Sequence, residues 1–125
     1  MSSRPSDSFR SNCYIGSFFT EADVAYRHEV GVDRLMWGAD FPHHEGTAPH
    51  SREAIRANFA TLPEPEVRRM LALNAAECYG FDLDALQTIA DEVGPTAVEI
   101  HRPLTDAETP SFPTQTACPT FMPAA

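Results

Sequence analysis

The loop that follows residue 39 concentrates the side chains best suited to acid–base or metal chemistry. Asp40, His43, His44, Glu45 and His50 fall within eleven consecutive residues. A carboxylate can bind a cation or remove a proton from water. Neutral imidazole is the commonest protein ligand for metals and titrates near neutral pH. The residue types of this loop therefore favour a metal site or an acid–base site.

The same residues also fit an ordinary surface turn. Asp40 stands just before Phe41-Pro42, where Asp is common as a turn-forming or capping residue. The sequence has neither H-x-H nor H-E-x-x-H, the spacings that bring two imidazoles to one metal. From the residues alone, a turn-forming Asp40 and solvated loop histidines are the commoner interpretation.

Charge and hydropathy exclude some classes of protein. The chain of 125 residues carries 18 acidic and 9 basic residues, every basic one an Arg, for a net charge of −9. Nucleic-acid backbones and anionic membrane surfaces both select clustered Lys and Arg. No apolar run approaches the about 18 residues of a membrane-spanning helix, and there is no apolar signal segment. A cytoplasmic protein with neither nucleic acid nor membrane as partner is expected.

Two short apolar runs are the candidate strands that would position the loop. Residues 13–19 and 34–39 are hydrophobic without clean alternation, which is typical of strands in a buried parallel sheet. Between them, Thr20 is placed to cap a helix, with an acid three residues later, and Gly31 is placed to end it. The second strand would end directly before Asp40.

Three more helices are predicted after the loop. The first is expected to be capped by Ser51, the second ends at Gly80 and the third at Gly94-Pro95. The side chains expected among the better buried are Trp37, Ile55, Phe59, Leu71, Ala75 and Cys78. Three scattered cysteines make no disulfide framework, and Cys13 is expected to be buried like Cys78.

The alternation of strands and helices predicts an α/β fold with parallel pairing. Two parallel strands alone make a poor sheet, so neighbours from the same domain or from another chain are expected. The last 23 residues contain five prolines and no periodicity. Residues 1–101 are therefore predicted to fold, and residues 102–125 to form a Pro-rich disordered tail.

Three stretches resemble the amidohydrolase-related family, which contains metal-dependent hydrolases and decarboxylases. Residues 33–43 (DRLMWGADFPH) are similar to the eighth-strand motif of that family, and residues 73–81 (LNAAECYGF) to its closing helix. Residues 6–17 resemble the run into its seventh strand. The resemblance covers residues 5 to about 100. It implies the C-terminal part of a (β/α)8 (TIM) barrel, with the last two strands plus the C-terminal helices.

The resemblance also implies roles for the loop residues. The family places a divalent metal, often zinc, at the strand ends, held by an H-x-H after strand one, by His from strands five and six, and by an Asp after strand eight. Of these ligands, only the Asp after strand eight has a counterpart in this sequence, which is Asp40. The resemblance implies that Asp40 is a metal ligand and the general base for metal-bound water. His43 and His44 would contact the substrate. Because a catalytic zinc needs about three protein ligands, the isolated chain is expected to be inactive.

Several functions follow from these implications. The first is a metal-dependent hydrolase that cleaves C–N or related bonds of a small-molecule substrate. Whether the protein forms a homo-oligomer is left open. The alternative is a decarboxylase of the same fold, acting on an aromatic or unsaturated carboxylic acid with the same metal and the same Asp40. Two further hypotheses are not enzymes. One is a truncated, non-catalytic chain that packs against a partner, and the other is a small acidic binding module.

Overall fold

The computed structural model describes residues 4–123, a set of short helices around a two-stranded sheet. Its elements are α1 (Pro5–Asn12), β1 (Ile15–Ser17), α2 (Glu21–Ala25), α3 (Arg27–Val30), a 3-10 turn (Val32–Arg34), β2 (Leu35–Trp37), α4 (Ser51–Phe59), α5 (Glu64–Arg68), a π-helical turn (Arg69–Leu73), α6 (Asn74–Tyr79), α7 (Leu83–Val93), α8 (Ala97–Ile100) and a second 3-10 turn (Pro119–Phe121). None of these helices is long and apolar enough to cross a membrane.

The two strands pair in parallel, which confirms the α/β prediction. The register joins Ile15 to Leu35 and Ser17 to Trp37. Each strand is three residues long, shorter than the predicted runs 13–19 and 34–39. Phe19 has a φ of 55°, in the left-handed region that side chains with a Cβ rarely adopt. This turn of the backbone ends the extended segment soon after β1.

Several element boundaries follow the local sequence signals that predicted them. Thr20 caps α2 and forms a capping box with Asp23. Gly80, with a φ of 70°, ends the predicted helix that the structure builds from α5, the π turn and α6. α7 covers the predicted third helix and ends at Gly94. The expected cap at Ser51 is one residue off, because His50 holds the capping position and Ser51 begins α4.

The hydrophobic core lies between the sheet and the helices α2, α4, α5 and the π turn. Its buried members are Phe19, Val24, Leu35, Ile55, Phe59, Val67, Met70 and Ile100. Phe19 and Phe59 meet edge to face with ring centroids 6.4 Å apart, a favourable aromatic geometry. Ile55 and Phe59 are buried as predicted, whereas Trp37, Leu71 and Ala75 are half-buried.

The burial predicted for Cys78 is wrong. Its side chain is exposed, and so is that of the neighbouring Tyr79, while Cys13 is half-buried. Helical spacing placed Cys78 on the same face as Val67 and Met70, which are buried. Burial on α6 reaches Asn74 and Ala76, and the last turn of the helix beyond them is exposed.

The segment after α8 is irregular but contacts the body of the protein. The buried guanidinium of Arg56 donates to the backbone carbonyl of Arg102 at 2.8 Å and to both carboxylate oxygens of Glu108 at 3.0 Å. The hydrogen bond from Arg56 lowers the pKa of Glu108 to about 2. Further along, Thr116 and Cys118 are buried. The predicted disorder of residues 102–125 and the predicted domain boundary at residue 101 stay predictions. Both can be tested by removing the contacts between Arg56 and this segment.

Candidate functional site

The C-terminal ends of the two strands open onto one hollow. Gly38 extends the ladder beyond β2, since its N–H donates to the Ser17 carbonyl at 3.0 Å. The hollow has a volume of about 370 Å³ and is lined by Gly16, Ser17, Phe18, Gly38 and Asp40. Asp40 has a φ of 56°, a left-handed conformation that Asp tolerates better than most residues. The chain therefore turns sharply at Asp40, which leaves its carboxylate at the rim.

Backbone hydrogen bonds hold the loop after Asp40 in a compact series of turns. The N–H of His43 donates to the carbonyl of Asp40 at 2.8 Å, and that of Thr47 donates back to the carbonyl of Ala39 at 2.9 Å. Gly46 lies so close to this backbone that a Cβ would sit 2.7 Å from the Ala39 oxygen and 2.8 Å from the Asp40 oxygen. Only glycine fits there without a shift of the loop.

The predicted site residues lie together at the rim. The Nδ1 of His43 is 3.7 Å from Oδ2 of Asp40, with 51% and 57% of the two side chains exposed. The ring of His44 packs against that of His43 with centroids 4.6 Å apart, and its Nε2 is 3.9 Å from a carboxylate oxygen of Glu45. His50 holds the capping position at the start of α4. The arrangement offers an accessible proton acceptor beside an imidazole.

The described residues do not complete a metal site. Within residues 4–123 no group of three or more His, Cys, Asp or Glu side chains could hold a metal ion. Asp40 and His43 supply at most two ligands, and a catalytic zinc usually has three from the protein. The donor set therefore fits part of a divalent-metal site, which needs ligands beyond those present here.

The contribution of β1 and the residue after it to the hollow was missed by the sequence analysis. Ser17 and Phe18 line it from the end of β1, and the Oγ of Ser17 accepts from the N–H of Phe19 at 3.3 Å. Their position could have been predicted from the sequence, because neighbouring parallel strands end at the same edge of a sheet and the predicted first strand ends at these residues.

Two buried asparagines hold the strands in place beneath this site. Nδ2 of Asn58, on α4, donates to the carbonyl of Phe19 at 3.0 Å, and the Thr120 hydroxyl donates to the same oxygen at 2.8 Å. Nδ2 of Asn74, at the start of α6, donates to the carbonyls of Val32 and Leu35 at 2.7 and 2.8 Å. Buried carbonyls need such partners. The helices therefore fix the end of β1 and the start of β2.

Comparison with known proteins assigns the chain to a family. The family model described as amidohydrolase matches residues 19–81, just over half of the chain, from shortly after β1 through Asp40 to shortly after α6. No curated protein and no solved structure matches the chain. The matched segment contains both the strand-end motif and the closing helix on which the resemblance depends. The chain belongs to the amidohydrolase family.

Proposed function

We propose that this chain supplies the last two strands and the closing helices of a metal-dependent amidohydrolase barrel, with residues 1–101 as its barrel portion. The observation that carries the proposal is the position of Asp40. Its carboxylate stands just past β2, beside the end of β1, at the rim of the hollow. In (β/α)8 barrels the active site lies at this end of the strands.

Asp40 has two roles in the proposed enzyme. It is one ligand of a divalent metal, zinc by family resemblance, and it accepts the proton of the water that attacks the substrate. A divalent metal supplies Lewis-acid chemistry when it is bound. His43, within 3.7 Å of Asp40, orients the carboxylate and, together with His44, contacts the substrate. The further metal ligands come from strands outside the described residues, so the isolated chain is inactive.

The decisive variant is Asp40→Asn in an intact enzyme that contains this sequence. The change keeps the shape, suits the left-handed φ of 56°, and removes the charge. We expect turnover to fall by at least about 100-fold, the usual contribution of a general base, with little change in folding. Measurements of kcat and of metal content per chain test this, and the nature of the products separates hydrolysis from decarboxylation.

A matched control is available in the 3-10 turn just before the same strand. Asp33 is an exposed acid at the opposite end of β2, beside Arg34, so Asp33→Asn removes the same charge far from the hollow. It should leave turnover and metal content nearly unchanged. Normal turnover and metal content in Asp40→Asn would show instead that Asp40 is a turn residue.

The 125-residue chain allows a separate test by zinc calorimetry. We expect no tight stoichiometric zinc, because the described residues hold no group of three ligands. One tight zinc per chain that is lost on Asp40→Asn would contradict the barrel proposal and favour the small metal-binding module.

A further inference from the structure

α7 is the longest helix among the described residues, and none of its residues is buried. Four of its large apolar side chains are well exposed, from 42% at Leu83 and Leu86 to 56% at Ile89 and 63% at Val93. Phe81 and Tyr79, just before the helix, are exposed as well. An apolar surface of this extent on one element is typical of an interaction site.

The exposed apolar residues of α7 form a single stripe. At 3.6 residues per turn, Leu83, Leu86, Ile89, Ala90 and Val93 fall within an arc of about 120°. The steps of three, four and three along Leu83, Leu86, Ala90 and Val93 match the seam by which one helix packs along another. The stripe therefore has the shape of half of a helix–helix interface.

α7 is held by polar contacts that leave this stripe free. The guanidinium of Arg52 donates to the carbonyls of Val93 and Gly94 at 2.8 and 3.2 Å and to the Glu99 carboxylate at 2.7 Å. The N-terminus of the helix is capped by Asp82, whose carboxylate accepts from the N–H of Ala85 at 3.1 Å. The helix is thus anchored at its C-terminal end, while no residue of the stripe is buried or belongs to the hydrophobic core.

The acids on α7 itself form no ion pair within residues 4–123, whereas Arg52, at the C-terminal end of the helix, is paired with Glu99, and Glu77 is paired with Arg69. Between residues 70 and 100 the sequence has no Lys or Arg and six acids, which are Glu77, Asp82, Asp84, Asp91, Glu92 and Glu99. On α7 itself, Asp84 and Asp91 border one side of the stripe, and Glu92 lies on the other side. Like charges across an interface are repulsive, and opposite charges steer association.

We propose that the stripe of α7, residues 83, 86, 89, 90 and 93, is a docking surface for an amphipathic helix of another protein whose apolar face is bordered by Arg or Lys. The apolar stripe supplies affinity and the acidic border selects a basic partner. A second copy of this chain would bring the same acids face to face. An anionic membrane would repel them. The surface lies outside the segment matched to the family, and the inference does not depend on the proposed barrel chemistry.

The probe for this surface is a synthetic 18-residue helical peptide with a leucine stripe flanked by arginines, labelled for fluorescence anisotropy. It should bind the chain saturably, and more tightly at about 0.01 M than at about 0.15 M salt, because the screening length shortens. The double variant Leu86→Gln with Ile89→Gln should weaken binding at least about tenfold, since both side chains lose burial at the interface. Asp84→Asn with Asp91→Asn should flatten the salt dependence.

Control measurements distinguish binding at the stripe from nonspecific hydrophobic binding. Met122→Gln removes an equally exposed apolar side chain elsewhere and should leave binding unchanged. A peptide with glutamates in place of the arginines should bind at least about tenfold more weakly. A second double variant, Leu83→Gln with Val93→Gln, repeats the test if the first changes the circular dichroism spectrum.

Three results would overturn the proposal. The first is the absence of saturable binding, or equal binding by the peptide with glutamates. The second is concentration-dependent dimerisation that Leu86→Gln with Ile89→Gln abolishes, because it assigns the stripe to a second copy. The third is sedimentation with vesicles of phosphatidylcholine and phosphatidylserine that the same variant abolishes, because it assigns the stripe to a lipid surface.

Discussion

α4 and α7 are both amphipathic helices, yet one is built into the core and the other lies on the surface. α4 buries Ala54, Ile55, Arg56, Asn58 and Phe59, whereas α7 buries none of its residues. The polar residues of α4 reach distant carbonyls, as Asn58 does at Phe19, so the helix is locked by hydrogen bonds as well as by packing. The contrast shows that an apolar stripe identifies a face of a helix but not the element that covers it.

The largest expected effect compares one apolar side chain from each helix. Phe59→Ala removes a fully buried ring that packs on Phe19, so it should lower the free energy of unfolding by about 3–5 kcal/mol. Leu86→Ala on α7 should change it by less than about 0.5 kcal/mol, because the side chain is exposed. Denaturant unfolding of the 125-residue chain measures both. Similar losses for the two variants would show that α7 is covered in solution and would remove the contrast.

A smaller effect is expected from the polar contacts that lock the core. Asn74→Leu keeps a similar volume but leaves the carbonyls of Val32 and Leu35 without their donor, at a cost of about 1–3 kcal/mol. The control is Asn12→Leu, whose amide donates to the Ser8 carbonyl on the exposed helix α1. Equal free energies of unfolding for the two variants would contradict the role given to Asn74.

The smallest effect concerns the segment after α8 and depends on pH. Because the Arg56 hydrogen bond lowers the pKa of Glu108 from 4.5 to about 2, the ionised carboxylate favours the folded state. Its contribution is complete above about pH 4.5 and is lost as the pH falls through about 2. Glu108→Gln should therefore reduce amide protection of residues 105–120 at neutral pH and remove part of the acid sensitivity. Hydrogen exchange at pH 5 and pH 2.5 (about the two ends of this window) measures the difference.

Glu92→Gln is the matched control for this experiment, since it neutralises an exposed acid on α7. It should leave protection of residues 105–120 unchanged at both pH values. If residues 102–125 are disordered as their composition predicts, Glu108→Gln will behave like this control. The experiment therefore also decides the prediction made for the tail.

Much of the framework followed from local signals in the sequence. The βαβ order, the cap at Thr20, the helix end at Gly80 and the bounds of α7 depend on hydrogen bonds and periodicities within a few residues. The motif around Asp40 was enough to indicate the family, and the structure places that residue at a strand end. The roles of Asp40, His43 and His44 stay predictions.

Other properties were decided by contacts between residues far apart in the chain. The burial of Asn58 and the exposure of Cys78 could not be predicted from residue type or spacing, because each depends on which element packs above it. Asparagine prefers the surface, and it is buried here only because unpaired strand carbonyls need donors. The sequence determined which segments form helices and strands, while tertiary packing decided which faces are covered and brought the ends of β1 and β2 to one hollow.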